Sequence, residues 1–152
     1  MLRISKSLSL TISIVLTALF FVVLMIAAFV LPRFVQLIAP AAARPLGLRD
    51  GVLILIAGYL ILALALLADV LLARLLLRVR AGEVFTAKSV ALIRGVSWCA
   101  IAISLVFLPM TVYYLLALVL SFTAVLLGLC LRVVKNVVEE ATAIKSENDL
   151  TV

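Results

Sequence analysis

Apolar side chains recur along this chain at every helical position rather than along one face, in long runs interrupted by four short charged patches. A surface helix carries its apolar residues on one stripe, whereas a run that is apolar all round must sit in a large core or in a bilayer. The runs cover residues 8–31, 52–77, 92–108 and 111–131. Each is near the ~20 residues that a helix needs to cross ~30 Å of hydrocarbon. A soluble domain of 152 residues has too small a core to bury four such helices. The pattern predicts an all-α fold: a single domain, an integral membrane bundle of four transmembrane helices.

Punctuation between the runs sets the expected boundaries. Pro32 should stop the first helix, because it cannot supply the next backbone donor. Pro40 and Pro45 exclude a continuous helix over 33–50, and residues 33–38 read as a turn on the membrane surface. Asp50, beside Gly51, is expected to be the N-cap of the second helix. That helix ends among Arg74, Arg78 and Arg80 and is longer than the hydrocarbon requires, so it should tilt or project. Gly82 marks the next break. Thr86 reads as an N-cap, and Phe85 and Val90 stand at the spacing of a hydrophobic staple. The third helix should enter the membrane near Gly95, with Trp98 at the interface. Pro109 closes it, and the fourth begins within a few residues, so these two helices must form a tight antiparallel hairpin with Tyr113 and Tyr114 at the far interface. Past Arg132 the fourth helix is expected to continue over 132–146 as a cytoplasmic amphipathic extension. There Val133, Val134, Val137, Val138, Ala141 and Ile144 share one face, and Lys135, Asn136, Glu139 and Glu140 point away. Residues 147–152 should form a frayed tail.

Composition agrees: 68% of residues are hydrophobic and 13% charged, which belongs to the membrane class. The formal charge of +6 follows the positive-inside rule better than nucleic-acid binding, since no compact basic run is interleaved with aromatics. Arg3 and Lys6, the five basic residues from Arg74 to Arg94, and Arg132, Lys135 and Lys145 put ten basic residues on one side, against Arg33, Arg44 and Arg49 on the other. Both termini are therefore expected in the cytoplasm. Arg3 and Lys6 before an apolar run, with Ala41, Ala42 and Ala43 later, imitate a secretory signal. The run of 24 residues from 8 to 31 exceeds the ~7–15 of a signal core, so a retained helix is expected.

Few residues offer chemistry. Asp69 is the one acidic residue inside a spanning run. An Asp at a helix centre costs about 2.5–3.5 kcal/mol, which the Leu, Ile and Val residues of 52–67 offset at about 0.3–0.6 kcal/mol each. Arg74, five residues on, does not face it on one helix. Arg94, Arg132 or Lys6 is the expected partner, making Asp69, Arg94 and Arg132 a candidate interhelix clamp; a transport carboxylate is the other reading of Asp69. There is no His, no HExxH, no GxSxG and no phosphate loop, so no enzymatic activity and no cofactor is expected. Cys99 and Cys130 lie in apolar runs without further ligands and are expected to be packing residues, not a metal site. Phe85, Thr86, Glu139, Glu140, Glu147 and Asp149 form a candidate surface for a cytoplasmic partner, although a solvated face accounts for the same charges.

Two stretches resemble the bacterial membrane-protein family known as domain of unknown function 2975. One runs over Gly82, Glu83, Val84, Phe85, Thr86, Ala87, Lys88, Ser89 and Val90 and on through Ile93, Trp98, Cys99, Ala100 and Ile101. The other is the polar terminus from Ala143 through Lys145, Glu147 and Asp149 to Val152. The resemblance implies four spanning helices in a bacterial inner membrane and no assigned enzymatic activity. It also implies that such proteins are commonly encoded beside a small helix-turn-helix regulator of the phage-repressor type. Tyr113 and Tyr114 run directly into Leu115 and Leu116, where members often carry acidic residues, and this departure argues against an outer-face ligand role. The resulting expectation is a regulatory protein that docks such a regulator; the alternative is a small transporter or channel subunit using Asp69. Lipid is the surrounding partner in either case, and a homo-oligomer is compatible with both.

Overall fold

Long Leu, Val, Ile and Ala runs, separated by glycine- or proline-bearing connections, resolve in the computed structural model into four helices. These are α1 (Lys6–Ile38), α2 (Leu48–Arg80), α3 (Ala87–Met110) and α4 (Leu115–Leu150), with a 3-10 turn at Ala39–Ala41. The backbone is described for residues 6–150 and the side chains for residues 8–147, and no strand occurs among them. Arg3, the side chains of Lys6 and Asp149, and Thr151 and Val152 lie outside these described residues. All four helices are long and apolar enough to cross a membrane, so this is a multi-pass membrane protein. Phe29, Leu105 and Leu115 are 80%, 65% and 76% exposed. Lipid chains, rather than a protein core, are the natural solvent for so much outward apolar surface.

The helices alternate in direction, and each packs mainly on its neighbour in sequence: α1 on α2, α2 on α3, α3 on α4. α1 differs from expectation at its end, because the helix runs through Pro32 to Ile38. A proline inside a helix orphans the carbonyl four residues earlier, here that of Ala28. The Tyr59 hydroxyl of α2 donates to that carbonyl at 3.3 Å. A neighbouring helix thus restores the freed acceptor, which is how spanning helices tolerate proline. α2 also starts earlier than expected. Gly47 is the N-cap, and Asp50 sits three residues into the helix, where its Oδ2 accepts the Gly47 backbone N–H at 3.0 Å. It supplies the returning half of a capping box rather than the cap.

α3 and α4 form the expected hairpin, with one residue register throughout. Ser97 Oγ donates to the Gly128 carbonyl at 2.8 Å. One heptad on in α3 and one back in α4, the hydroxyls of Ser104 and Ser121 lie 3.0 Å apart, and Ser121 Oγ also donates to the Ser104 carbonyl at 3.0 Å. Ala117, Ser121 and Gly128 are buried on the α4 side, as are Val90, Ile93, Ser97 and Ser104 on α3. This is coiled-coil spacing with small residues, which bring the backbones close and let hydroxyls bond across the gap. Cys99 is buried as expected, but Cys130 is exposed and faces outward from this seam.

The same seam corrects the expected face of the α4 extension. Continuing the alternating steps of three and four from Gly128 leads to Leu131, Lys135, Val138 and Thr142, all partly buried. Val133, Val134, Val137 and Ile144 are instead 62%, 48%, 61% and 55% exposed. The 3.5-residue seam inherited from the membrane half sets the rotation of the helix, and the local apolar pattern does not. The segment expected to fray is helical through Leu150.

Candidate functional site

At the end of the molecule that holds the α2–α3 connection, local backbone chemistry builds a fixed platform. The α2 helix stops in a Schellman motif: the Gly82 N–H reaches the Val79 carbonyl at 3.1 Å and the Glu83 N–H reaches the Arg78 carbonyl at 3.0 Å. Gly82 takes φ +81°, the left-handed conformation that this motif requires and that glycine adopts without strain. The two positions usually joined by an apolar contact carry Arg78 and Glu83, whose side chains form an ion pair at 3.0 Å. Thr86 then caps α3, its Oγ1 accepting the Ser89 N–H at 3.2 Å. Ser89 is 1% exposed; its hydroxyl lies 3.0 Å from Thr86 Oγ1 and donates to the Glu83 carbonyl at 2.8 Å. Gly82, Glu83, Thr86 and Ser89 are thus all committed to the connection itself. Phe85 is left pointing out, 45% exposed.

One ion pair joins α3 to α4 beside this platform, and a second, within α4, shares its carboxylate. Lys135 Nζ lies 2.6 Å from Glu139 Oε2, and Arg94 reaches Glu139 Oε1 at 3.5 Å. The Glu139 carboxyl, beyond the apolar run that ends at residue 131, is held below the usual range, chiefly by the Lys135 ammonium and also by Arg94, against the smaller opposing effect of burial. Lys135 lays its aliphatic stem against the seam, with 17% of its side chain exposed, and brings only its ammonium to the surface. Arg132 lies over the Trp98 ring, 4.4 Å from its centroid, at cation–π range.

The expected clamp therefore has different partners. Arg94 is taken by Glu139 and Arg132 by Trp98, and the described ion pairs leave Asp69 out. Asp69 is 6% exposed and faces α1 across a cavity of ≈ 350 Å³ that also touches Thr17 and Arg74. Of the candidate partner residues, Thr86 is spent as a cap and Glu139 sits in the ion-pair cluster. Phe85, Glu140 and Glu147 are exposed, and the Asp149 side chain lies outside the described residues.

A second polar cluster, at the opposite end, escaped the sequence reading. Tyr113 donates its hydroxyl to Asp50 Oδ1 at 2.6 Å, Arg44 pairs with the same oxygen at 3.3 Å, and the Arg44 guanidinium lies 4.6 Å from the Tyr113 ring centroid. The Ala43 N–H donates to the Tyr113 carbonyl at 2.8 Å, and the Tyr114 hydroxyl to the Ile38 carbonyl at 3.3 Å. The α1–α2 connection is thereby clasped to the α3–α4 turn. Asp50 lies ahead of the apolar run that begins at Val52. Its carboxyl is held below the usual range by the Tyr113 hydroxyl first and the Gly47 N–H next, with burial opposing and Arg44 assisting.

Residues 38–152 match the family described as "Protein of unknown function (DUF2975)", and the chain belongs to that family. The match begins at the last residue of α1 and takes in the clasp, the platform and the hairpin. No curated protein and no solved structure matches the chain.

Proposed function

We propose that this family member is a non-enzymatic regulatory protein of the bacterial inner membrane, with both termini in the cytoplasm. Its platform end would hold a small helix-turn-helix transcription regulator. One observation carries this reading: Val133, Val134 and Val137, beside the first turns of α3, and Ile144, past its start, are uncovered, on a segment too charged to lie among lipid chains. The seam register that sets Ser97 against Gly128 and Ser104 against Ser121 places Ala87 opposite Val138, so the last twelve residues of α4 extend ~18 Å farther at ~1.5 Å per residue. Arg94, Glu139 and Lys135 fix the base of that projection. An apolar row rimmed by charges, offered by a helix held at its base, suits the grooves in which small helical proteins take a partner helix. A regulator held there is withheld from its operator, and movement of the helices under it would change the fraction released.

The test is capture from native membranes. Wild-type protein should retain a cytoplasmic helix-turn-helix protein identifiable by mass spectrometry. Val133→Lys combined with Val137→Lys should lose it while leaving insertion and thermal unfolding unchanged. Retention of the same regulator by the double variant would remove the exposed row as the docking surface.

A further inference from the structure

Asp69 is the one charged residue buried among the described residues. With only 6% of the residue exposed, it forms none of the described ion pairs and accepts no described hydrogen bond. Among the described residues no side-chain oxygen is both sealed off and unbonded. The oxygens of Asp69 are therefore not enclosed in packed protein; they open on the cavity of ≈ 350 Å³ between α1 and α2. Apart from Asp69 itself, Thr17 and Arg74, that cavity is walled by hydrocarbon, including Ile14, Phe21 and Val70. The Thr17 hydroxyl is already donating to the Ser13 carbonyl at 2.9 Å, so it presents lone pairs to the cavity and no proton. Arg74, exposed at the rim, lies five residues from Asp69, about 7–8 Å along the helix axis, and pairs with no acid among the described residues.

We propose that the α1–α2 cavity is a binding site for an amphiphilic organic cation, whose charged nitrogen or phosphonium pairs with Asp69 while its apolar body fills the space beside Phe21 and Val70. An ionised carboxylate out of water requires a counter-charge, and no cation among the described residues pairs with Asp69, Arg74 at the rim included. Asp69 and Thr17 present acceptors inside the cavity, Arg74 stands at its rim and hydrocarbon lines the remainder, and the site lies between spanning helices where membrane-partitioned molecules arrive. A volume of ≈ 350 Å³ falls within the ~300–1,000 Å³ of small-molecule sites. The other large cavity, ≈ 570 Å³ at the clasp end, lacks this property. Its one hydroxyl, that of Tyr114, is engaged with Ile38, and no charged side chain lines it. The cavity site stands independently of the docking reading, because it lies between α1 and α2 rather than on α4 and its binding is measured without a protein partner.

Equilibrium dialysis of the full chain in a neutral maltoside detergent, with radiolabelled tetraphenylphosphonium as the probe, tests it. Wild-type protein should bind the probe saturably, and the anion tetraphenylborate should not compete at equal concentration. Asp69→Asn, which keeps volume and hydrogen-bonding capacity, should weaken binding at least tenfold, whereas Glu140→Gln should leave it unchanged. Ala73→Leu, which fills the cavity from the α2 wall with the carboxylate intact, should weaken it as well and serves if Asp69→Asn does not fold. Absence of saturable binding to wild-type protein in mildly alkaline buffer would assign the carboxylate to a proton and overturn the proposal. Equal binding by wild-type, Asp69→Asn and Ala73→Leu would overturn it also.

Discussion

At the scale of single residues, the chain solves in lipid a problem that water would solve elsewhere. Pro32 frees the Ala28 carbonyl, and the Tyr59 hydroxyl takes it at 3.3 Å. Removing that hydroxyl by Tyr59→Phe should destabilise the protein by about 0.5–1.5 kcal/mol, the usual range for an interhelix hydrogen bond whose acceptor is then left bare. In a Pro32→Ala background the restored backbone N–H claims the carbonyl, and Tyr59→Phe should then change almost nothing. Thermal unfolding in detergent of the two single variants and the double variant measures the coupling. Equal losses in both backgrounds would show that the hydroxyl does not compensate for the proline. Glycines divide by the same kind of geometry. A Cβ at Gly128 would lie 2.8 Å from Ile101 Cγ1 and 3.2 Å from the Ser97 carbonyl oxygen, whereas one at Gly51 meets nothing within 4 Å. The Ser97 backbone cannot yield as a side chain would. Gly128→Ala should therefore cost about 1–3 kcal/mol, and Gly51→Ala, in the first turns of α2, should gain about 0.5–1 kcal/mol from helix propensity. The two unfolding midpoints should move in opposite directions.

At the scale of elements, the spanning runs were legible because hydrophobic length and composition alone decide them, and Thr86 was legible as a cap because its chemistry is local. Pro32 was misleading for a tertiary reason: its rescue comes from a tyrosine 27 positions after it, on the next helix. The face of the α4 extension was misleading for a different one. Val133, Val134 and Val137 look like an inward stripe only when the segment is read by itself. The seam fixed by Ser121 and Gly128 carries its phase down the helix, turning Lys135 inward and the valines outward. The clasp joins Asp50 to Tyr113, 63 residues apart, and no spacing in the sequence announces such a pair. It makes a testable link to pH. Because the folded Asp50 carboxyl sits below its ordinary value of ~3.9, the clasp is at full strength above that value and is lost as the pH falls through the folded one. The unfolding midpoint of Tyr113→Phe should lie below that of wild type at neutral pH, and the gap should close on acidification. A gap that stays constant with pH would mean that the Tyr113–Asp50 bond does not supply the stabilisation.

At the scale of the whole molecule, sequence singled out Asp69 as the unusual charge but not its surroundings, because the neighbours of a spanning helix depend on rotation and helix order. Serial packing places α1, not the basic residues of α3 and α4, opposite it, and this separates Asp69 from Arg94 and Arg132. The same serial, alternating order groups the molecule into two ends. The start of α1, the α2–α3 connection and the end of α4 share one; the clasp lies at the other. Among the residues with described side chains, eight of the eleven basic ones lie toward the first end, and Arg33, Arg44 and Arg49 toward the other; the positive-inside rule assigns the first to the cytoplasm. Both the docking reading and the direction from which a partner arrives depend on that assignment. With Cys99 and Cys130 replaced by alanine, a single cysteine at Ala43, exposed in the clasped connection, should react with a membrane-impermeant maleimide added outside intact cells. One at Ser146, exposed near the end of α4, should react only after the membrane is opened. Labelling of Ser146→Cys alone in intact cells would invert the molecule and place the exposed valines of α4 outside, where no transcription regulator could reach them. Labelling of both would break the alternating order itself.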